Sequence, residues 1–344
     1  MVRVTIKTLA EHVGVSPSTV SNAYNRPNQL SGDLRQRILD AAAELGYSGP
    51  DAAGRSLRSG RSGAVGVLLT ESLSYAFSDP YAVRFLAGLT QVIEHTDTSI
   101  VVLPPSPEAV QRANLDALTT LCIRDEHDAA KAAAARGIRT VGTAVTDNPD
   151  DSWVAIDDRE AGRLVGRHLA RLGHRRVTVL LDNGLEPGTL TEDLLTPGPG
   201  KVGIQDPDSL ARWQGLRETM PEAEFATASG GYNSYEAGRA VASLVIDRQD
   251  RPTAVVAISD VLALGFLDAM RTRSLTPGRD LSVVGFDDIA GAEAAGLTTV
   301  RQPIEEKGRL VGKLLLDPEL PERQVLLPIE LVVRSSTGPV SPTP

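Results

Sequence analysis

Short runs of apolar residues recur along most of the chain, and they constrain its fold more strongly than any other feature. Turn residues bound each run, and stretches with helical periodicity separate one run from the next. Strands that are apolar along their whole length and alternate with helices are typical of parallel sheets that helices cover on both faces. The sequence therefore predicts an α/β body of two doubly wound parallel-sheet subdomains, with strands that include 64–69, 99–103, 176–181, 254–258 and 281–286.

Charges are unevenly distributed along the 344 residues. The whole chain has a net charge of −9, but residues 1–63 carry eight basic and five acidic side chains, so this segment is at +3 and the remainder at −12. A basic segment on an acidic body suits contact with a polyanion through that segment alone, because Lys and Arg neutralise phosphates. The charge pattern therefore favours a nucleic-acid contact near the N-terminal end.

Composition argues against several other classes of protein. Hydrophobic residues make up 41% and charged residues 23%, which is typical of a soluble globular chain. The one cysteine, Cys122, excludes an internal disulfide and a cysteine-built zinc site. The sequence contains neither a signal-peptide core nor an apolar run of membrane-spanning length, so we expect no membrane contact and a cytoplasmic, nucleoid-associated location.

Two short helices are predicted to meet across a tight turn near the N-terminal end. Apolar residues at helical spacing follow Thr5, a good helix cap, and Gly14 supplies the left-handed conformation that ends a helix. Ser16 then starts a second helix, because serine caps well and the proline after it is tolerated at the first helical position. Small Ala10 at the crossing and branched Val20 inside the second helix complete the pattern of a helix-turn-helix motif.

A third amphipathic helix at about 31–45 would close a three-helix core around this motif. A helix-turn-helix places its second helix in the major groove of DNA, which presents the polar side chains of that helix to the bases. Asn22 is the best candidate base reader, because its amide can bond bidentately to an adenine edge. A solvated polar helix in an ordinary bundle is the alternative. The predicted DNA-binding residues in this region are Thr5, Ser16, Pro17, Ser18, Thr19, Ser21, Asn22, Asn25 and Ser31.

The residues of this region resemble the LacI/GalR family of bacterial transcription regulators. The likeness rests on Val-Thr-Ile-Lys at 4–7, Gly-Val-Ser-Pro-Ser-Thr-Val-Ser at 14–21 and Ala-Glu-Leu-Gly-Tyr at 43–47. Residues 50–57 resemble the family's hinge helix, which folds on its operator and inserts a leucine, here Leu57, into the minor groove as a wedge that unstacks a base step. The resemblance therefore adds Arg55 and Leu57 to the DNA-binding residues, with a plain flexible linker over 48–62 as the alternative.

Several positions depart from the family pattern. Asn22 stands where the family usually has arginine, so the familiar operator half-site is not assumed. Gly54 stands where alanine is usual, and because glycine costs a helix about 1 kcal/mol, the hinge should be harder to fold without DNA. In the body, the helix after residue 103 looks shortened, Ala144 replaces an acidic or aromatic residue, and a Pro/Gly-rich insertion spans 184–203.

The resemblance also implies an effector site in the cleft between the two halves of a periplasmic-binding-protein-like core. An arginine and an aspartate bonding to vicinal hydroxyls, with an aromatic ring beside them, would suit a sugar. The effector-binding residues that the resemblance implies are Tyr81, Asp157, Arg212, Trp213, Ser259, Asp260, Phe286, Asp287 and Gln302. Asp157, Asp260 and Asp287 could instead only cap helices, and Trp213 could only fill the core.

The resulting domain plan has four parts, which are a helix-turn-helix headpiece at 1–47, a hinge helix or linker at 48–62, an effector-binding and dimerisation core at 63–337, and a disordered tail at 338–344. Within the core, the resemblance implies crossovers of the chain between subdomains. The N-subdomain is expected at about 63–157 and 291–321, and the C-subdomain at about 158–290 and 322–337.

Together these features predict a homodimeric transcription regulator, a repressor, that binds a palindromic operator in double-stranded DNA under the control of a small-molecule effector, possibly a sugar. We expect no enzyme activity, cofactor or metal, because the five histidines lack metal spacing and the adjacent Asp287 and Asp288 should point to opposite faces of a strand. A sugar-binding protein without a DNA role is the alternative from another class, and the headpiece counts against it.

Overall fold

A computed structural model of the protein describes residues 4–49, 60–69, 72–121, 127–181, 189–191 and 207–340. The chain forms two compact units, Met1–Gly63 and Ala64–Pro344. Cys122, Arg55 and Leu57 lie outside the described residues, as do all but three residues of the insertion at 184–203.

The first unit is a three-helix bundle in which the predicted start signals are confirmed. Each helix begins where a hydroxyl oxygen accepts a hydrogen bond from the backbone N–H three residues later, and these pairs are Thr5 with Thr8, Ser16 with Thr19, and Ser31 with Leu34. The elements are α1 Ile6–Val13, α2 Pro17–Asn25, a 3₁₀ turn Pro27–Gln29 and α3 Gly32–Leu45.

The turn between α1 and α2 also begins with the left-handed glycine that the sequence predicted. Gly14 has a left-handed backbone with φ of 76°, and it ends α1 by donating its N–H to the carbonyl of Ala10. Leu9, Val20 and Ile38 are fully buried and bring α1, α2 and α3 together. The helix-turn-helix geometry is therefore held by a small apolar core.

Six strands of the described residues form the first sheet of the second unit, and every pair in it is parallel. The strands are β1 Ala64–Leu69, β2 Ser99–Leu103, β3 Ala117–Leu121, β4 Arg139–Gly142, β5 Ser152–Ile156 and β12 Gln324–Leu327. Their order across the sheet is β12-β5-β4-β3-β1-β2. This order is that of a doubly wound sheet with β1 near one edge.

Seven strands of the described residues form the second sheet, in which only the two outer pairs, β13 with β11 and β7 with β8, are antiparallel. The strands are β6 Arg176–Leu181, β7 Thr189–Thr191, β8 Glu224–Ser229, β9 Ala254–Ala257, β10 Ser282–Asp287, β11 Thr298–Arg301 and β13 Glu330–Val332. Their order is β13-β11-β10-β9-β6-β8-β7. The fold class predicted from the apolar runs is confirmed.

Helices connect these strands. The helices described in the second unit are α4 Tyr75–Ser78, α5 Pro80–Ile93, α6 Pro107–Arg112, α7 Asp128–Ala135, α8 Asp158–Arg171, α9 Pro207–Thr219, α10 Tyr235–Ile246, α11 Asp260–Thr272, α12 Ala292–Ala295 and α13 Ile304–Leu316. The helix after residue 103 is α6, and its six residues confirm that it is short.

Helices α8 and α9 cross at very short range, because each has a glycine at the crossing. A Cβ atom at Gly162 would collide with the carbonyl of Arg212, and one at Gly215 would collide with the carbonyl of Arg159. The start of α9 is thereby held against the start of α8, which positions the Arg212 side chain.

After residue 290 the chain crosses between the two subdomains twice, and each crossing comes one strand later than the sequence predicted. The segment 291–321 was expected in the N-subdomain, but it contains β11, which pairs with β10 of the second sheet. The segment 322–337 was expected in the C-subdomain, but it contains β12, which pairs with β5 of the first sheet. These pairings are long-range, so local sequence patterns did not reveal them.

The tail boundary at 338 is also wrong. The Gly338 N–H donates to Ser282 Oγ over 3.1 Å, and the Gly338 carbonyl accepts from His174 Nε2 over 3.1 Å. The Val340 N–H donates to the carbonyl of Leu172 over 2.9 Å. Residues 338–340 are therefore bonded to the second-sheet subdomain, and 341–344 lie outside the described residues.

Candidate functional sites

The outward face of α2 presents the predicted DNA-binding side chains. Val20 and Ala23 are buried against the bundle, and Pro17, Ser18 and Asn25 are exposed. A helix with this burial pattern presents residues 17, 18, 21, 22 and 25 on one side, because that spacing follows 3.6 residues per turn.

Most of the polar side chains on α2 are occupied by hydrogen bonds within the headpiece. Ser16 Oγ lies 2.7 Å from Ser18 Oγ and 2.8 Å from Thr19 Oγ1. Asn25 Nδ2 donates to the Ser21 carbonyl over 3.0 Å and to Ser21 Oγ over 3.2 Å. The side-chain amide of Asn22 has no hydrogen bond to any described residue, so it is the amide of α2 that is available to a base edge.

In the second unit, Arg212 lies where three elements meet. Its Nε donates to Asp158 Oδ1 over 2.7 Å, and its Nη1 donates to the carbonyl of Ile258 over 3.0 Å. Its guanidinium carbon lies 3.5 Å from the centroid of the Phe286 ring. Contacts from α8, from the end of β9 and from β10 therefore fix its orientation.

Asp287 ends β10 next to this arginine. Its backbone has φ of 111° and that of Asp288 has φ of 52°, both uncommon for residues with a side chain. Gln302 Nε2 donates to Asp287 Oδ1 over 2.6 Å, while Gln302 Oε1 is buried without a hydrogen-bond partner among the described residues. Asp287 and Gln302 are thus brought together as the family resemblance implied.

The surroundings of Asp287 shift the pKa of its carboxyl. Burial raises the pKa of its carboxyl well above the usual range, and the charge of Arg212 opposes that rise. The carboxylates of Asp260 and Asp79 raise the pKa further, because like charges disfavour ionisation. A ligand that donates hydrogen bonds or positive charge to Asp287 would therefore lower this pKa.

Asp288 has different partners from its neighbour. Its carboxylate accepts from Arg301 Nε over 2.7 Å and pairs with Arg334 Nη2 over 2.8 Å. Its backbone carbonyl accepts from Arg84 Nη1 of α5 over 3.3 Å. This last bond joins the two subdomains, and the two adjacent carboxylates bond to different partners.

Asp260 is fully buried and is engaged by the protein on both oxygens. Oδ1 accepts from Thr299 Oγ1 over 2.6 Å, and Oδ2 accepts from the Ile289 N–H over 2.9 Å. Burial raises the pKa of Asp260 to about 7 against these two hydrogen bonds. Asp260 therefore links the turn after β10 to β11. Its direct contact with an effector stays a prediction.

The other predicted effector residues have local structural roles as well. Ser259 caps α11 and donates to Asn233 Oδ1 over 2.5 Å, and Asp157 caps α8. Trp213 is buried with its ring 4.7 Å from that of Phe225, which fits its reading as a core residue. These contacts leave their effector roles untested.

Tyr81 lies in the first turn of α5, and its hydroxyl accepts from Lys307 Nζ of α13 over 3.3 Å. Sequence reasoning missed Lys307, which is 3% exposed and has Tyr81 as its hydrogen-bond partner among the described residues. It also missed Asp158, Arg84 and Asn233. A signal for Lys307 was present, since it falls at helical spacing between buried Ile304 and Val311.

Two further features are absent from the described part of the chain. No group of three or more metal-binding side chains is found there. None of its helices is long and apolar enough to cross a membrane.

Comparison with known proteins decides the family. Residues 5–49 match the model of bacterial regulatory proteins of the lacI family, and residues 167–337 match that of a periplasmic-binding-protein-like domain. An HTH-type transcriptional regulator of Mycolicibacterium smegmatis is 36% identical over 98% of this chain and 97% of its own. The chain belongs to the lacI family. It is a DNA-binding transcription regulator with an effector-binding type of core.

Further lacI-family proteins support the same assignment along the full length. The HTH-type transcriptional regulator IpsA of Corynebacterium glutamicum is 34% identical, with 98% of each chain covered. The crystal structure of a LacI-family regulator from the same organism has a TM-score of 0.70 and 30% identity, over 96% of this chain and 98% of that one. These relatives are regulators, so the comparisons do not favour the solute-binding alternative.

Two more structures share the fold. The CelR–cellobiose complex has a TM-score of 0.65 and 25% identity, over 97% of this chain and 100% of that one. A Lac repressor dimer bound to operator has a TM-score of 0.75 and 24% identity, over 97% and 99% of the two chains.

Proposed function

We propose that this lacI-family regulator is a homodimeric repressor that binds a palindromic operator on nucleoid DNA and responds to a sugar or related metabolite. The observation that carries the DNA half of the proposal is the outward face of α2, with the Asn22 amide free of bonds to described residues. A twofold dimer presents two such helices to two half-sites, which is the geometry that palindromic operators match.

On the DNA side, the roles divide between base reading and positioning. Asn22 reads a base, while hydroxyls and backbone groups at Thr5, Ser16, Thr19 and Ser31 contact phosphates at helix N-termini, where N–H groups and the helix dipole favour anions. The remaining residues of the set, Pro17, Ser18, Ser21 and Asn25, shape the surface that faces the groove. Arg55 and Leu57, outside the described residues, stay assigned to the hinge and the minor groove.

On the effector side, Asp287 and Arg212 hold hydroxyl groups of the ligand. One carboxylate oxygen of Asp287 accepts a hydrogen bond from Gln302, which leaves the other oxygen for a ligand hydroxyl. The Phe286 ring lies against the guanidinium of Arg212 and helps to hold it in position. Tyr81, Asp157, Trp213, Ser259 and Asp260 complete the proposed site, several of them by positioning. The CelR–cellobiose complex supports the choice of a sugar, because that regulator shares this fold.

The effector acts by changing the angle between the two subdomains. Arg84 of the first subdomain bonds to the carbonyl of Asp288 in the second, directly beside Asp287. A ligand that engages Asp287 changes the free energy of this contact, so it shifts the population between two arrangements of the subdomains. The population of dimers able to bind DNA shifts with it.

Replacing Asn22 by arginine is expected to change the preferred base at one symmetric position of the operator from adenine to guanine. Asparagine pairs bidentately with adenine and arginine with guanine, and each such pair discriminates by about 1–3 kcal/mol, or about fivefold to 150-fold in affinity. Gel-shift titrations of both proteins with both half-sites measure this exchange.

Asn25→Ala is the matched control on the same face of α2. The Asn25 amide is bonded to Ser21, so its loss should weaken binding to both half-sites alike. Unchanged base preference in Asn22→Arg, or a changed preference in Asn25→Ala, would contradict the assignment of base reading to Asn22.

A further inference from the structure

Lys307 of α13 is a buried cation without a matching anion. The residue is 3% exposed, and its Nζ donates to the Tyr81 hydroxyl over 3.3 Å and lies 5.9 Å from the centroid of the Tyr81 ring. It forms no ion pair with any described residue. Lysine is almost never fully buried unless it is paired, because removing an ammonium group from water is costly. Lys307 therefore indicates a negative charge that the described residues do not supply.

The crossing of α5 and α13 holds this ammonium group at the start of α5. A Cβ atom at Gly88 of α5 would collide with the carbonyl of Glu305, and one at Gly308 of α13 would collide with the backbone of α5. Tyr81 lies in the first turn of α5, where backbone N–H groups and the helix dipole favour anions. The Lys307 ammonium therefore adds positive charge at a helix end that is already positive.

A second cation lies on the same face of α5. Arg84 follows Tyr81 by three residues, so the two side chains are neighbours on the helix surface. Arg84 Nη1 donates to the Asp288 carbonyl over 3.3 Å, and its guanidinium forms no ion pair with a described residue. A guanidinium has several N–H donors, so Arg84 retains donors for a ligand.

The aspartates near these cations do not cancel their charge. Asp79 caps α5 by accepting from the Ala82 N–H, and it supplies one negative charge against two cations. The carboxylate of Asp288 is already shared by Arg301 and Arg334. This end of the cleft therefore has an excess of positive charge.

The other acidic side chains close by do not remove that excess. Glu305 accepts from Gln91, and Glu306 is paired with Arg309 of its own helix. Burial raises the pKa of Asp287 well above the usual range, so this carboxyl opposes an anionic ligand less than an ordinary aspartate would.

We propose that the basic end of the cleft, formed by Tyr81, Arg84 and Lys307, binds an acidic group of the effector, a phosphate or carboxylate carried by a sugar. Arg84 donates to the oxygens of this group. Lys307 attracts it through the intervening phenol group of Tyr81, because charges inside a protein interact over several ångströms. Arg84 contacts the residue next to Asp287, so an acidic group at Arg84 and hydroxyl groups at Asp287 fit within one small molecule. The inference rests on the proposed function and narrows its effector to an acidic sugar derivative.

Thermal unfolding of the full chain, in phosphate and in chloride at equal ionic strength, tests the role of Lys307. Phosphate stabilises many proteins without binding to them, so the test compares Lys307→Met with the unaltered protein. In chloride we expect the variant to be at least as stable, because a buried unpaired charge is removed. We expect its phosphate affinity to be at least about tenfold weaker, or about 1.4 kcal/mol, so phosphate stabilises it less.

Two further variants serve as control and second test. Lys313→Met removes an exposed lysine of the same helix and should keep the whole phosphate response. Arg84→Met, at a partly exposed position, should reduce the response as well, so the test does not depend on one buried position. A phosphate response that is unchanged in Lys307→Met and Arg84→Met, or is lost in Lys313→Met, would overturn the inference.

Calorimetry with matched sugars identifies the acidic group. The probes are glucose, galactose and fructose, the 6-phosphate of each, and glucuronate and galacturonate. We expect at least one acidic probe to bind at least about tenfold tighter than its neutral parent, a difference of about 1.4 kcal/mol. Preference for the phosphates or for the uronates shows which acid the site holds. Tighter binding of the neutral parents, or no binding of any acidic probe, would overturn the inference.

Operator binding, measured on the same protein, separates the two claims. A neutral sugar that releases operator DNA, with no acidic probe bound, would reject the anion site and leave the proposed function standing. Phosphate binding that depends on Lys307, in a protein without specific operator binding, would support the anion site and reject the proposed function.

Discussion

Replacing Arg212 by methionine is expected to lower the free energy of unfolding by about 3–5 kcal/mol, the usual cost of removing one partner of a buried ion pair. The change leaves Asp158, which is 8% exposed, without the guanidinium that donates to its Oδ1. It also removes the donor to the Ile258 carbonyl and the contact with the Phe286 ring. Denaturation with urea at pH 7 measures the loss.

Two further variants test whether the ion pair is the cause. Asp158→Asn combined with Arg212→Met removes both charges, so we expect it to recover a large part of the lost stability. Arg163→Met, at a partly exposed position of α8, breaks pairs with Glu160 and Glu218 and should cost less than about 1 kcal/mol. A double variant no more stable than Arg212→Met alone would show that lost packing, rather than the lost ion pair, dominates.

Asp260→Asn is expected to remove a fall in stability that the unaltered protein shows between about pH 4 and pH 7. The folded-state pKa of about 7 is above the ordinary value of 3.8, so the native carboxyl holds its proton more tightly than the unfolded one. Its stabilising contribution is therefore complete below pH 3.8 and is lost as the pH rises to 7. The loss is on the order of 4 kcal/mol, from 1.36 kcal/mol for each unit of pKa difference.

Asparagine imitates the protonated carboxyl in this setting. Its oxygen can accept from the Ile289 N–H and its amide can donate to Thr299 Oγ1, so both attachments of the turn persist. The measurement is urea denaturation of both proteins at several pH values, and their difference cancels the titration of groups that Asp260 does not influence, such as His174. Parallel stability curves for the two proteins would contradict a raised pKa at Asp260.

The sequence allowed prediction of those parts of the fold that depend on neighbouring residues. Caps at Thr5 and Ser16 and the stop at Gly14 are interactions within one turn of chain, and all three are confirmed. The five apolar strands were predicted to within one residue. Strands such as Ala117–Leu121, whose middle is two buried threonines, were missed because a polar pair interrupts the apolar pattern.

The candidate cleft could be predicted only in part. Arg212 and Asp287 were implied by the family resemblance, but their partners come from distant segments. Asp158 is 54 residues from Arg212, and Arg84 is 204 residues from Asp288. The same limit explains the wrong crossover and tail boundaries, because the pairing of β12 with β5 and the bonds of Gly338 join parts of the chain that no local pattern connects.

The central claim is that α2 reads a sequence in the major groove as one of two symmetric copies. Selection of bound duplexes from a random pool with the full chain tests it most directly. We predict enrichment of a motif with two related halves, arranged about a twofold axis and spaced to match a dimer. Enrichment of no such motif, or equal retention of scrambled duplexes, would contradict the account.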